Sequence, residues 1–298
     1  MTNTQIGPAA ATVRLDIRPT SPALGAEVHG LDLSQPFDAA TAAAVRAAWA
    51  EHSVLLFREQ RLNDDELLAF SRTFGTLMPP HPNRYSNKPF LPDYPDLMVI
   101  SNVIENGQPI GNLGAGEAAW HADMTYKDRP PAGILLYALE VPDSGGDTSF
   151  ANMAKAYDTL PDDLKRAVEG RVAIHDNSLN SAGELRKEYQ PVTDPRETPG
   201  ARHPLVSIHP VTGRKCLLLG RRRNGYILGL DLAESERLLD RLWAHATQPS
   251  LVWTHRWRVG DLVIWDNRAT MHRRDPFDAD ARRVMHRAQI AGDAVIAA

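Results

Sequence analysis

Cysteine is almost missing: Cys216 is the single thiol among 298 residues. That excludes an intramolecular disulfide and every zinc module built from several cysteines. A basic excess is missing too, since 33 Lys and Arg face 37 Asp and Glu for a net charge of −4. The electrostatic footprint of a nucleic-acid binder is therefore not there. The longest apolar stretch, Gly133 to Val141, falls far short of the roughly 20 residues that cross a bilayer, so no membrane segment is expected. No basic segment followed by an apolar one opens the N-terminus, so no secretory signal is read and a cytoplasmic location is expected. There is no G-x-S-x-G elbow, no H-E-x-x-H pair, no phosphate loop of the right form and no internal repeat. What is present is a chain 43% hydrophobic, long enough to bury roughly three quarters of its unfolded surface.

The pattern reads as many short strands with a few helices. Residues 1–12 form a flexible tail, and 13–298 a single domain. Val13–Ile17 alternates as a half-buried strand, and Ala26–Leu31 follows as a second. Ala39–His52 is a helix, with Val45, Ala48 and Trp49 on one face, and Ser53–Phe57 is a buried strand. Asn63, with Glu66 three residues on, is an N-cap signature for the next helix. Segment 76–116 is dense in Pro, Asn, Gly and Asp around one strand at Leu97–Ser101. Segment 181–204 is charged and proline-rich. Both are lid candidates. Gly133–Glu140 is a buried strand, Thr159–Pro161 opens a helix to Glu169, and Arg171–Asp176 is a strand. A hairpin turns at Pro210–Gly213. Ala233–Thr247 is amphipathic, and Leu251–Arg258, Leu262–Trp265 and Arg283–Ile290 are strands. These elements predict a mainly β sandwich or barrel with helical insertions, not a doubly wound α/β sheet.

Of the eleven histidines, only His121 is followed two residues later by a carboxylate, Asp123. In an extended segment such residues face the same way and could share one cation. His272, after the apolar run Leu262–Trp265, is the leading third ligand. Two His and one carboxylate suit a non-haem Fe(II) oxygenase, although the same set could hold zinc with a water. From spacing alone, unrelated surface histidines remain a third reading. Cys216, in a predicted strand, reads as a buried structural thiol. His29, His52, His175, His203, His209, His245, His255 and His286 read as structural or surface histidines. Trp253 and Trp257 read as core on one strand face. Asp266 and Asn267 read either as partners of the metal site or as the close of a turn.

Five blocks in order resemble the Fe(II)/2-oxoglutarate-dependent taurine dioxygenase (TauD/TfdA) family: Trp-His-Ala-Asp at 120–123, Gly-Gly-Asp-Thr at 145–148, His-Pro-Val-Thr-Gly at 209–213, Trp-Asp-Asn-Arg at 265–268 and Arg-Arg-Val-Met-His-Arg at 282–287. The likeness runs from about Val13 to Asp293. It implies a double-stranded β-helix, or jelly roll, with iron held by His121, Asp123 and His272. Arg283, eleven residues after His272, and Thr148, 27 after His121, would bind the distal carboxylate of 2-oxoglutarate. Arg287 would meet the substrate, with His81 and Arg223 as further substrate candidates. The implied reaction consumes 2-oxoglutarate and O₂, releases succinate and CO₂, and hydroxylates a C–H of a small anionic molecule. The retained Asp123 argues against halogenation, which needs that carboxylate replaced.

Departures from the taurine enzyme point away from taurine itself. Glu117 stands in place of an asparagine, Arg84 and Tyr85 share the slot of a tyrosine, and Arg221-Arg222-Arg223 replaces the stretch with a pocket phenylalanine. The alternatives are a biosynthetic hydroxylase or desaturase of an amino-acid-like substrate, a zinc hydrolase, and a metal-stabilised jelly-roll binding protein. The partner expected is a small molecule, not nucleic acid or membrane, and homo-oligomers are common in the family.

Overall fold

The computed structural model describes residues 14–81, 83 and 87–298. The N-terminal tail, Arg84 and Tyr85 lie outside these residues. Two antiparallel-rich sheets carry the architecture. The larger has eight strands, in the order Asp16–Pro19, Ala26–His29, Val54–Phe57, Leu262–Asp266, Gly133–Glu140, Val284–Ile290, Met98–Ser101 and Asn112–Leu113. The smaller has four, in the order Val252–His255, Thr148–Asn152, Thr270–Arg274 and Ala118–His121.

Strand Gly133–Glu140 shows how alternation divides the core. Ile134, Leu136 and Ala138 pack with Val54, Leu56, Val263, Trp265, Phe150 and Met285 between the sheets. Leu135 and Tyr137 point the other way, to a layer closed by Val45, Trp49, Leu67 and Phe70 from two helices. Both faces are covered, so the central strand reads as a continuous apolar run rather than a polar alternation.

Those helices start where their caps dictate. Asp38 accepts the Thr41 N–H at 2.7 Å before helix Ala39–His52. Asn63 and Glu66 exchange side-chain and backbone hydrogen bonds of 2.9 and 2.8 Å ahead of Asp64–Arg72. Helix Leu232–Ala246 lies one residue from its expected bounds and buries Leu239, Leu242 and Trp243. The hairpin is present, with Val206–Ile208 antiparallel to Lys215–Leu217. Segment 76–116 holds more strand than expected, adding Ile104–Glu105, Gln108–Pro109 and Asn112–Leu113. Segment 181–204 contains a single 3-10 turn, Pro195–Glu197, and the strand Arg202–Pro204. Among the described residues, no helix is long and apolar enough to cross a membrane.

Candidate metal centre and its flanking arginines

His121 ends one strand of the smaller sheet and His272 sits at the middle of its neighbour. Register sets the two residues opposite each other, with ring centroids 4.2 Å apart. His121 Nδ1 donates to the Ala119 carbonyl at 2.7 Å, which fixes the tautomer and leaves Nε2 with a free lone pair. The rings of Trp265 and Phe150 back His272, with centroids 4.8 and 6.2 Å away.

Asp123 does not continue an extended segment, as the spacing rule supposed. The chain turns after His121, and Met124 adopts φ +52°. The carboxylate is aimed instead by Asn267, whose side-chain oxygen accepts the Asp123 N–H at 2.8 Å and whose amide donates to the Asp123 carbonyl at 2.9 Å. A further donation to the Pro131 carbonyl at 3.1 Å saturates that amide.

The neighbouring motif residues have distinct tasks. Asp266 takes His209 Nε2 at 2.9 Å and Arg268 at 2.6 Å, joining the His-Pro-Val-Thr-Gly block to Trp-Asp-Asn-Arg. Burial opposes ionisation of Asp266, and Arg268 and His209 outweigh it, so its pKa is lowered.

One nitrogen or oxygen from each of His121, Asp123 and His272 lies within 4.8 Å of the other two. His121 Nε2 is 3.7 Å from Asp123 Oδ1, and His272 Nε2 is 3.6 Å from Asp123 Oδ2. Donors bonded at about 2 Å to one ion stand at such separations, and the set is that of a facial two-His, one-carboxylate iron site. Burial would raise the Asp123 pKa, but Arg287 and the two imidazoles hold it well below the ordinary value. Burial, with the neighbouring His121, pushes His272 well below its own. A neutral imidazole beside an ionised carboxylate is the protonation state that metal ligation requires.

Arg287 Nη2 stands 3.2 Å from Asp123 Oδ2, although that oxygen accepts no aligned hydrogen bond among the described residues. Arg283 lies deeper, 1% exposed and the largest of the fully buried side chains. Its Nε has no partner among the described residues, and burial lowers its pKa to about 9. Gly146, at φ +69°, borders it, and Gly145, at φ +76°, lets the chain pass close to Pro276 and Phe277. A Cβ on Gly146 would come within 3.4 Å of both Arg283 Nε and the Phe277 ring. Thr148 is buried, and its hydroxyl accepts Trp257 Nε1–H at 2.9 Å. Trp257 lies beyond the end of the strand Val252–His255, so it does more than fill core. A buried guanidinium without a counter-ion is the complement of an incoming carboxylate.

Tyr126 gathers a second group of side chains. His81 Nε2 meets its hydroxyl at 3.1 Å, Arg186 covers its ring at 4.6 Å and Arg221 at 5.8 Å. Arg221 is bridged to His121, donates to the Leu179 carbonyl at 2.8 Å and has an Nε without a partner among the described residues. Arg223 is exposed, and Arg222 pairs outward with Glu236 and Asp240. Of the arginine trio, only Arg221 lies against Tyr126 and His121 among the described residues, and Arg223, the residue expected from the sequence, is exposed. An alternation count could have found Arg221 only with the register of that segment known. Cys216 is fully buried, and its thiol is pushed up to about 12 by burial.

The family model for "Taurine catabolism dioxygenase TauD, TfdA family" matches residues 16–289. The chain is 37% identical over 292 residues to the alpha-ketoglutarate-dependent 2,4-dichlorophenoxyacetate dioxygenase of Cupriavidus pinatubonensis, covering 93% of this chain and 98% of that protein. It is 31% identical to the alpha-ketoglutarate-dependent sulfate ester dioxygenase of Pseudomonas putida, covering 98% of this chain and 95% of the relative. Among solved structures, a taurine dioxygenase from Burkholderia xenovorans superposes with a TM-score of 0.77 at 32% identity, over 95% of this chain and 91% of that one. AAD-2 in complex with Mn(II) and N-oxalylglycine superposes with a TM-score of 0.76 at 32% identity, over 95% and 99% of the two chains.

Proposed function

The chain belongs to the taurine catabolism dioxygenase TauD, TfdA family, and from that membership we propose that His121, Asp123 and His272 hold Fe(II), that Thr148 and Arg283 hold 2-oxoglutarate, and that the substrate is a small organic anion. The enzyme is a 2-oxoglutarate-dependent dioxygenase that hydroxylates small anionic molecules, which removes the zinc-hydrolase and binding-protein alternatives. Its two sheets are read as a double-stranded β-helix, and residues 13–298 as one cytoplasmic domain with lids at 76–116 and 181–204.

The observations that support the site assignment are the buried triad itself and a fully buried Arg283 whose Nε has no partner among the described residues and whose guanidinium lies near Trp257, the tryptophan that donates to Thr148. The bound iron and its co-substrate supply oxidation of a C–H bond coupled to decarboxylation. The residues of the chain do the rest. His121 and His272 offer neutral nitrogens, and Asn267 aims Asp123. Arg283 and Thr148 take the distal carboxylate, whose charge the guanidinium lacks among its neighbours. Apolar side chains such as Phe150 and Trp265 exclude water beside His272.

The substrate class rests on the cations that remain, Arg287 beside the triad and Arg221 beside Tyr126, with the imidazole of His81 as a neutral hydrogen-bonding partner because burial lowers its pKa. The curated relatives named above act on a phenoxyacetate and a sulfate ester, both anions. A carboxylate, sulfonate or sulfate ester therefore fits, with its charge between Arg287 and Arg221. The test measures substrate-stimulated consumption of 2-oxoglutarate across aryloxyacetates, alkyl sulfates, alkanesulfonates and neutral analogues of equal size. Stimulation by anions, lost in both Arg287→Met and Arg221→Met, is expected. Equal stimulation by the neutral analogues contradicts the anionic assignment.

A further inference from the structure

Arg283 is not the only guanidinium buried beside Phe277. Arg274 follows His272 by two residues on the strand Thr270–Arg274, so alternation turns both side chains to one face. Register sets Arg274 opposite Thr148, as it sets His272 opposite Phe150. Directly opposed residues bring their Cβ atoms to about 5 Å. The Arg274 guanidinium carbon lies 5.3 Å from the centroid of the Phe277 ring, and that of Arg283 lies 5.9 Å from the same centroid.

Two cations thus share one aromatic ring beside the threonine assigned to 2-oxoglutarate, at 7% and 1% exposure. Arg274 Nη2 donates to the carbonyls of Leu113 and Gly116. The Nε atoms of both arginines have no partner among the described residues. Burial and the charge of Arg274 together lower Arg283. Two buried like charges with no carboxylate paired to them among the described residues destabilise the fold, and an anion bound beside both would relieve that cost.

We propose that Arg274 is a second recognition group for the distal carboxylate of 2-oxoglutarate, acting with Arg283 and Thr148, and that the two guanidiniums together select a 2-oxo acid with a charge at its far end. The inference rests on the co-substrate site proposed above. The competing role is purely structural: Arg274 pins the carbonyls of the 113–116 turn and is indifferent to what binds.

Binding separates the two roles without relying on turnover. Calorimetric titrations compare 2-oxoglutarate with 2-oxopentanoate, the same carbon chain without the distal carboxylate, on Mn(II)-loaded wild type, Arg274→Met and Arg274→Lys. Wild type is expected to prefer 2-oxoglutarate strongly. Arg274→Met is expected to bind 2-oxoglutarate about tenfold more weakly or worse, with 2-oxopentanoate changed by less than about twofold. Arg274→Lys, which keeps the charge and loses the planar fork, is expected between the two.

An unchanged preference in Arg274→Met, or equal weakening of both ligands, overturns the proposal and leaves Arg274 as a pin for the turn. If Arg274→Met does not fold, Arg274→Lys decides. A preference reduced about threefold supports the proposal, and an unreduced one overturns it. A wild type without preference for 2-oxoglutarate would instead overturn the co-substrate site itself.

Discussion

Asn267 shows at the residue scale why a metal site needs more than its ligands. Three hydrogen bonds from one buried amide hold the turn that carries Asp123. Asn267→Ala leaves the Asp123 N–H and carbonyl buried without those partners, at a cost of roughly 2–4 kcal/mol. Its Mn(II) affinity is expected to fall about 10- to 100-fold, read by metal titration beside a thermal melt. A variant as stable as wild type with unaltered metal binding would show that the turn is held by other contacts. Trp257 acts in the same way on Thr148. Trp257→Phe keeps the ring and removes the donor, so 2-oxoglutarate should bind about fivefold more weakly, by about 1 kcal/mol. Substrate affinity measured with co-substrate saturating should stay unchanged.

Elements differ in how plainly their residues announce them. The helix Ala39–His52 and the strand Gly133–Glu140 run over the residues that the apolar pattern predicts. Asn63→Ala removes one half of a capping box and should cost about 1 kcal/mol of stability while leaving 2-oxoglutarate affinity untouched, checked by denaturant titration. The strand Thr270–Arg274 was not legible in advance, because Thr-Met-His-Arg-Arg shows no clear apolar alternation. Without that strand, His272 could be chosen as a ligand, but Arg274 could not be placed on its face. The same limit applies to the trio at 221–223: the chain shows three arginines, and only packing against Tyr126 and His121 distinguishes Arg221. Trp257 looked like core because its apolar ring dominates its composition, and its N–H matters only once Thr148 lies beside it. The two histidines and the aspartate were legible because their chemistry is rare and their motifs collinear. Asn267 was half legible, since its motif was evident and its bonds to Asp123 were not.

Across the whole molecule, the fold buries titratable groups that water ordinarily solvates. His175, just past the strand Val172–Ile174 of a smaller three-stranded sheet, is one such group away from the metal site. It is 1% exposed, neither ring nitrogen has a partner among the described residues, and burial lowers its pKa from 6.5 to about 3. Below pH 6.5 the unfolded chain takes up a proton that the folded chain refuses until about pH 3. Stability from this ring is therefore complete above 6.5 and declines as pH falls through that window. His175→Leu should flatten the fall in unfolding free energy between pH 6.5 and 4, measured by urea titration at each pH. An acid slope equal to that of wild type would place the liability elsewhere.

Arg283 and Arg274 are a corresponding liability, and in the site proposed above the distal carboxylate of 2-oxoglutarate would remove it. The central claim is that one site holds both a metal and a dicarboxylate. It is tested most directly by anaerobic titration of the metal-free protein with Fe(II) and 2-oxoglutarate, following the visible metal-to-ligand charge-transfer absorption. A band that requires both additions, is lost in His121→Ala and needs far more 2-oxoglutarate in Arg283→Met is expected. No band with the wild type, or a band undiminished in His121→Ala, would contradict it.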